Sequence, residues 1–161
     1  MTASKGRIME SDELTGFPIR DFADSHFESL LRLWHESGVA NPSRGDSLES
    51  IHATLTRQGR LFVIVKPAGA ETGAAEEVLA SAWLTDDGRR LYLHHMAVLP
   101  SLQGRGLGTR LMEVAIAVAA ERGMQMKLEV HRENRRALSL YRRFGFDGLG
   151  DYEVMIRRKN G

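Results

Sequence analysis

The sequence predicts a mixed α/β (α+β) fold, with a central sheet that is antiparallel in its first half and continues into a parallel βαβ unit, flanked by about four helices. Two observations indicate this fold. Two apolar runs of strand length, "RLFVIVK" and "EVLASAWLT", are joined by the flexible segment "PAGAETGAAE", as in a hairpin with a loose loop. After a third run, "RLYLHHMAVLP", helical and strand patterns alternate, which is typical of parallel strands joined by helices.

The elements before the hairpin are a short strand and two helices. Residues 1–16 are polar and predict a flexible leader, after which "FPIRDF" predicts a strand. A helix follows in "DSHFESLLRLWHESG", where Ser25 and Glu28 have capping-box spacing. The second helix, "SLESIHATLTRQ", ends at Gly59. We therefore expect a single domain over residues 17–161.

The elements after the hairpin end in a last predicted strand. The segment "TRLMEVAIAVAAERG" predicts a helix that Gly123 terminates, and "MKLEVH" predicts the next strand. In "NRRALSLYRRFG", Asn134 stands at a helix N-terminus and Gly145 at its end. The segment "DYEVMIRR" predicts a closing strand.

Composition excludes several classes of function. The chain has no cysteine, which removes disulfides, thiolate metal sites and cysteine nucleophiles and fits the cytoplasm, where we expect the protein. The net charge of +1 gives no reason to expect a nucleic-acid partner. No segment has the length of a membrane span or the apolar core of a signal peptide, so no membrane partner is expected either.

The stretch "QGRGLG", Gln103–Gly108, lies between a predicted strand and a predicted helix. Glycine disfavours helices, so a cluster of glycines at a helix start indicates that something approaches the backbone closely. Free N–H groups at the positive end of the helix dipole favour an anion, best a phosphate. The glycine spacing does not fit the dinucleotide fingerprint, and the P-loop lysine is missing because Thr109 and Arg110 follow Gly108. A glycine-rich turn without a ligand is the alternative.

Two stretches together resemble the signatures of the GNAT superfamily of N-acetyltransferases. The first is Q/R-x-x-G-x-G/A after a strand ending in "AV-x-P", and the second is N-x-x-A-x-x-L-Y followed by "GF", as in "NRRALSLYRRFGF". The likeness extends from about Phe17 to Arg158 and implies a GNAT-like sheet. It also implies acetyl-CoA as the co-substrate. A nucleotide-binding domain is the runner-up from outside this superfamily.

The resemblance assigns cofactor contacts to the strand, the glycine loop and the second signature. Strand residues are expected to pair with the pantetheine arm, loop residues to wrap the pyrophosphate, and the asparagine to hold the cofactor or a water. Arg105 and Arg110 flank the loop and can add charge near the phosphates. The expected cofactor-binding residues are Met96, Ala97, Val98, Gln103, Gly104, Arg105, Gly106, Leu107, Gly108, Thr109 and Asn134.

The resemblance implies direct attack of an amine on the thioester, with Tyr141 donating a proton to the departing thiolate. On its residues alone, Tyr141 reads as a core aromatic with its hydroxyl at the edge. Glu129, in "LEV", is the first candidate for the general base and His95 the second. Because neighbouring strand residues point to opposite faces, at most one of His94 and His95 is expected to face the substrate, and no metal site is expected. A solvated Glu129 and structural histidines are the alternatives.

The resemblance implies that the acceptor is a small-molecule amine or a protein N-terminus, and the residues do not select between them. In this family the loop between the first two helices shapes the acceptor site, where His35, Asn41 or Arg44 can contact a substrate. A regulatory module that binds acyl-CoA without turnover is the alternative function. Members of the superfamily are often homodimers, so a second copy of the chain is an expected partner.

Overall fold

The computed structural model describes residues 11–40, 45–69 and 75–157. It divides into two compact units, Met1–Glu129 and Val130–Gly161, which are described separately; the expected single domain over 17–161 stays a prediction. The strands are β1 (Ile19–Asp21), β2 (Arg60–Lys66), β3 (Glu77–Asp86), β4 (Arg90–Val98) and β5 (Gln125–Leu128). The helices are α1 (Ser11–Thr15), α2 (Phe27–Glu36), α3 (Leu48–Thr56), α4 (Leu107–Arg122) and α5 (Arg135–Arg143).

The five strands form one mixed sheet in the order β1-β2-β3-β4-β5. The first four are antiparallel to their neighbours, and β5 runs parallel to β4 with α4 between them in sequence. This confirms the predicted fold class. Residues 61–65 of β2 are all buried, so both faces of the sheet are covered.

The two sides of the sheet are covered by different helices. On one side, α2 and α3 contribute Leu30, Leu33, Trp34 and Ile51 to a core cluster that also contains Leu61, Val63, Val65, Val78, Trp83 and Ala97. The alternate residues Phe62 and Ile64 are buried on the opposite side, where α4 packs on β2 and β3.

Helix α1 lies in the region for which the sequence predicts a flexible leader. Leu14 is fully buried. The guanidinium of Arg110 on α4 donates to the carbonyl oxygens of Leu14 at 2.9 Å and Phe17 at 2.7 Å. These contacts tie α1 to α4, and they leave Arg110 on the backbone instead of on the phosphates expected for it. Residues 1–10 lie outside the described residues.

Two predicted strands differ from the structure. Strand β5 ends at Leu128, so Glu129 directly follows the strand instead of lying within it, because the ladder with β4 stops at the pair Leu93 and Leu128. The predicted closing strand "DYEVMIRR" is wrong for its described residues, since 152–157 pair with no strand there. A strand requires a partner for its backbone groups, whatever its side-chain pattern. Its apolar side chains are exposed: Tyr152, Val154, Met155 and Ile156.

No helix in the three described ranges is both long and apolar enough to span a bilayer.

A β-bulge interrupts the pairing of β3 with β4. Ser81 pairs with Ala97 and Trp83 pairs with His94, so two β4 residues, His95 and Met96, stand opposite one β3 residue. His95 has a left-handed backbone, with φ of 41°. Such a conformation costs a residue with a side chain about 1–2 kcal/mol, so the surrounding structure must hold it.

The bulge is held by a chain of two buried hydrogen bonds. The Trp34 indole N–H donates to Ser81 Oγ at 2.9 Å, and the Ser81 hydroxyl donates to the His95 carbonyl at 3.0 Å. Ser81 and Trp34 are both fully buried, so neither can exchange these bonds for water. These two hydrogen bonds fix the backbone of β4 at the bulge.

We expect Ser81→Ala to lower the free energy of unfolding by about 1–3 kcal/mol, because it leaves the Trp34 N–H and the His95 carbonyl unpaired in the core. Denaturant unfolding measures the change. Ser139→Ala, on the exposed side of α5, is the matched control and should keep the wild-type midpoint. A Ser81→Ala midpoint equal to that of the control would contradict this role.

Candidate active site

Strands β4 and β5 are paired over only part of β4. The ladder runs from the pair Arg90 and Gln125 to the pair Leu93 and Leu128, whereas β4 continues to Val98. Residues 94–98 therefore present one backbone edge with no strand partner in the described chain. The expected strand residues Met96, Ala97 and Val98 lie on this segment, where a ligand with amide groups can add to the sheet edge.

The glycine loop follows directly, between a 3₁₀ turn at Pro100–Leu102 and the start of α4. Gly104 and Gly106 have φ of 78° and 87°, and a Cβ placed on either would meet no atom within 4 Å. Glycine is therefore required by the backbone conformation, and the space beside it is open. Backbone N–H groups in such a turn and in the first helical turn form a concave anion site.

A side-chain hydrogen bond joins this loop to β4. The Gln103 amide Nε2 donates to the Val98 carbonyl at 3.3 Å. The expected loop residues Gln103–Thr109 thus lie together next to the unpaired end of β4, as the sequence predicts.

His94 and His95 lie on the same side of the sheet. Both rings approach Trp83, with centroid distances of 6.2 Å for His94 and 5.4 Å for His95. The expectation that they point to opposite faces is wrong, because the left-handed residue of the bulge breaks the strand alternation. The two rings therefore belong to one aromatic cluster, which also includes Trp34 at 4.4 Å from His95.

His95 is accompanied by a carboxylate that is not among the residues predicted from the sequence. Asp46 Oδ1 lies 2.9 Å from His95 Nε2, and the two side chains are only 5% and 13% exposed. The buried Nε2 nevertheless has no aligned hydrogen bond, so the carboxylate stands off the direction of the ring N–H. The one sequence signal for Asp46 is its position directly before Ser47, the N-cap of α3, in the loop expected to shape the acceptor site.

His94 is held as a neutral ring. Its Nε2 lies 2.9 Å from Thr85 Oγ1, and its ring stacks on Tyr92 at 4.4 Å. Burial, with the electrostatic influence of the neighbouring His95 ring as a second cause, lowers the pKa of His94 to about 4, although Glu129 and Asp46 oppose this shift. His94 is therefore uncharged at neutral pH.

Glu129 is exposed and engaged by a tyrosine. The Tyr92 hydroxyl donates to its carboxylate; burial, and after it this hydrogen bond, raises the pKa of Tyr92 above its ordinary value. Tyr92 faces Lys127 across the β4–β5 ladder, with Nζ 5.7 Å from the ring centroid. Tyr92 is a second residue of this region that the sequence does not single out.

The smaller unit carries the second signature. Asn134 caps α5, with Oδ1 accepting from the Ala137 N–H at 3.1 Å, as its position predicts. Tyr141 is buried, its ring centroid lies 5.9 Å from that of Phe146, and burial raises its pKa to about 12. Its phenol therefore keeps its proton at neutral pH.

Of the three residues expected to contact the acceptor, one is exposed and two lie outside the described residues. His35 is exposed at the end of α2, and Asn41 and Arg44 lie outside the described residues. Within the described ranges no cluster of three or more His, Asp or Glu side chains is placed to hold a metal ion.

The sequence matches the Acetyltransferase (GNAT) family over residues 24–146. A thialysine N-epsilon-acetyltransferase from Bos taurus is 33% identical over 73 residues, an alignment that covers 45% of this chain and 43% of the bovine protein. The matched part thus spans less than half the length of that relative.

The fold is shared with solved acetyltransferase structures. An acetyltransferase from Streptococcus agalactiae superposes with a TM-score of 0.70 at 17% identity, covering 90% of this chain and 93% of the other. AAC(6')-Iy, in complex with the bisubstrate analogue CoA-S-monomethyl-acetylneamine, gives 0.67 at 18% identity, covering 90% and 99%. At these identities the likeness shows the fold.

We expect the His94 imidazole to titrate near pH 4, well below the ordinary pKa of 6.5. Because the unfolded chain then binds more protons between about pH 4 and 6.5, the free energy of unfolding should fall as pH decreases through this window and be unaffected above it. NMR titration measures the pKa of His94, with its signal assigned by its loss in His94→Gln. Denaturation at pH 5 and at pH 7 measures the change in the free energy of unfolding. A His94 signal that titrates between pH 6 and 7 would contradict the burial effect.

Proposed function

The chain belongs to the GNAT acetyltransferase family, and we propose that it transfers an acetyl group from acetyl-CoA directly to a primary amine within a ternary complex. The observation that carries the proposal is the unpaired end of β4, residues 94–98, followed at once by the glycine loop. An elongated ligand with amide groups and a pyrophosphate fits a free strand edge that leads to an anion site.

The residues of this region fit coenzyme A in their donor chemistry. The main chain of Met96, Ala97 and Val98 can pair with the pantetheine amides. The N–H groups around Gly104 and Gly106 can bind the pyrophosphate, because open space lies beside both glycines. Bound acetyl-CoA supplies an activated acetyl thioester. Groups of the protein must then accept a proton from the amine and donate one to the departing thiolate.

The first proton leaves the attacking amine. Two groups are candidates to accept it, Glu129 and His95. Glu129 is exposed, and its carboxylate already accepts a hydrogen bond from the Tyr92 hydroxyl. His95 is nearly enclosed, adjoins the proposed cofactor-binding end of β4 and contacts the Asp46 carboxylate. These surroundings favour His95 as the base, with Glu129 as the alternative.

The second proton goes to the departing thiolate, and Tyr141 is the proposed donor. Its raised pKa keeps the hydroxyl protonated, which a general acid requires.

The acceptor is proposed to be a small amine. The bovine relative is named for the ε-amine of thialysine, and the bisubstrate analogue bound to AAC(6')-Iy joins coenzyme A to acetylneamine. A protein N-terminus is the alternative acceptor.

Release of the coenzyme A thiol in the presence of amines tests the function. The panel should contain thialysine, lysine, neamine, a polyamine and a peptide with a free N-terminus. We expect thiol release with at least one amine and thermal stabilisation by acetyl-CoA alone. Stabilisation without thiol release would favour a non-catalytic acyl-CoA-binding module, and absence of both would reject any acyl-CoA function.

We expect Gly106→Ala to raise the KM for acetyl-CoA about tenfold, because a left-handed alanine costs about 1–2 kcal/mol in the binding conformation. Gly88→Ala is the matched control. Gly88 has φ of 82° in the β3–β4 turn and equally open space, but it lies outside the proposed site. Equal KM values in the two variants would contradict the proposed pyrophosphate site.

We expect Tyr141→Phe to lower kcat by about 10²-fold, which is the low end of what a general acid contributes. The KM for acetyl-CoA should change little. Steady-state thiol release measures both constants. Tyr152→Phe, at an exposed tyrosine, should behave as wild type. Wild-type kcat in Tyr141→Phe would limit this residue to packing.

A further inference from the structure

We infer that Asp46 is a positioning residue for the acetyl transfer: its carboxylate orients the His95 imidazole and stabilises the cation that forms when His95 accepts the proton of the amine. The inference rests on the proposed function and names a partner for its base. It assigns a role to a residue that neither GNAT signature contains.

The contact between the two side chains is buried. Asp46 Oδ1 lies 2.9 Å from His95 Nε2, with 5% and 13% of the side chains exposed. A carboxylate at such a position is costly unless a charge or a hydrogen-bond donor compensates it. The pair therefore differs from surface pairs of the same chain, such as Asp24 and His52, whose side chains are 62% and 51% exposed.

Backbone features hold both partners in place. Asp46 directly precedes the N-cap of α3, where Ser47 Oγ accepts from the Ser50 N–H at 3.1 Å. His95 occupies the left-handed position of the bulge, and Ser81 holds its carbonyl. A glycine would adopt that φ at lower cost, so a histidine kept in this conformation points to a use for its side chain.

The geometry also distinguishes the two ring nitrogens. Nε2 is fully buried beside Asp46 and has no aligned hydrogen bond. Asp46 therefore occupies the Nε2 side of the ring, and the substrate is assigned to the other nitrogen, Nδ1. An N–H on Nε2 beside the carboxylate is the tautomer that keeps the Nδ1 lone pair available.

The proton transfer balances with these groups, the amine, the thioester and Tyr141. The N–H bond of the ammonium breaks, its proton binds Nδ1, and the freed electron pair of the amine forms the bond to the acetyl carbon. The carbonyl π pair moves onto oxygen and returns as the C–S bond breaks, and the departing thiolate takes the proton that Tyr141 donates. His95 then carries protons on both nitrogens, and its positive charge lies beside Asp46. The neighbouring His94 is neutral at the same pH and so does not oppose this charge, and the nearby Glu129 carboxylate favours it.

The kinetic test uses Asp46→Asn, His95→Gln and the double variant, with folding checked by denaturation. We expect each single variant to lower kcat about 10²-fold, with KM for acetyl-CoA unchanged. The double variant should be no slower than His95→Gln, because Asp46 acts through the ring. Asp46→Glu should recover part of kcat, and Asp24→Asn, the matched surface pair, should leave it unchanged.

Three kinetic results would overturn the inference. They are a wild-type kcat in folded Asp46→Asn, multiplied losses in the double variant, and a raised KM for the amine with unchanged kcat, which would make Asp46 a direct substrate contact.

A measurement on the resting protein separates this inference from the proposed function. The ¹⁵N shifts of the His95 ring report which nitrogen is protonated. We expect the proton on Nε2 in the wild type and a mixture of tautomers in Asp46→Asn. An unchanged tautomer in Asp46→Asn would overturn the orienting role, even if the enzyme is active. If no amine causes thiol release, the proposed function and with it the catalytic role of Asp46 are rejected, whichever tautomer is found.

Discussion

The candidate site depends on one local constraint, the β-bulge in β4 that Trp34 and Ser81 hold through the His95 carbonyl. The bulge begins just beyond the last pair of the β4–β5 ladder, so the backbone changes direction where the two parallel strands stop pairing. These buried hydrogen bonds help to offset the strain of a left-handed histidine inside a strand. The position of the histidines follows from the bulge, and the free strand edge begins at the same place.

The same constraint gives two adjacent histidines different environments. His94 stacks on Tyr92 and contacts the Thr85 hydroxyl, and burial keeps it neutral. His95 instead packs on Trp34 and lies beside the Asp46 carboxylate. Of the two, only His95 adjoins a carboxylate of the described chain within 2.9 Å, which can stabilise the cation that a base forms when it accepts a proton. This contrast is the physical basis for proposing His95, and not His94, as the base.

Local patterns in the sequence predict the parts of the fold and the site that depend on local chemistry. The glycine loop, the Asn134 cap and the change to a parallel pair of strands follow from residue spacing, and the structure contains all three. The bulge was not predictable, because Ser81 and Trp34 are distant in sequence from His95 and only the folded sheet brings them together. The contact of Asp46 with His95 is equally non-local, and so are the Arg110 bonds that hold α1. The predicted closing strand "DYEVMIRR" is wrong for a related reason: its local pattern is that of a strand, but whether another strand lies beside it to pair with depends on the rest of the fold.

Amide hydrogen exchange with and without acetyl-CoA tests whether the unpaired end of β4 and the glycine loop together hold the co-substrate. We expect slowed exchange in residues 95–109, because bound coenzyme A offers hydrogen-bond acceptors to N–H groups of the β4 edge and of the loop that otherwise bond to water. Slowed exchange confined to other parts of the chain, with 95–109 unchanged, would contradict it.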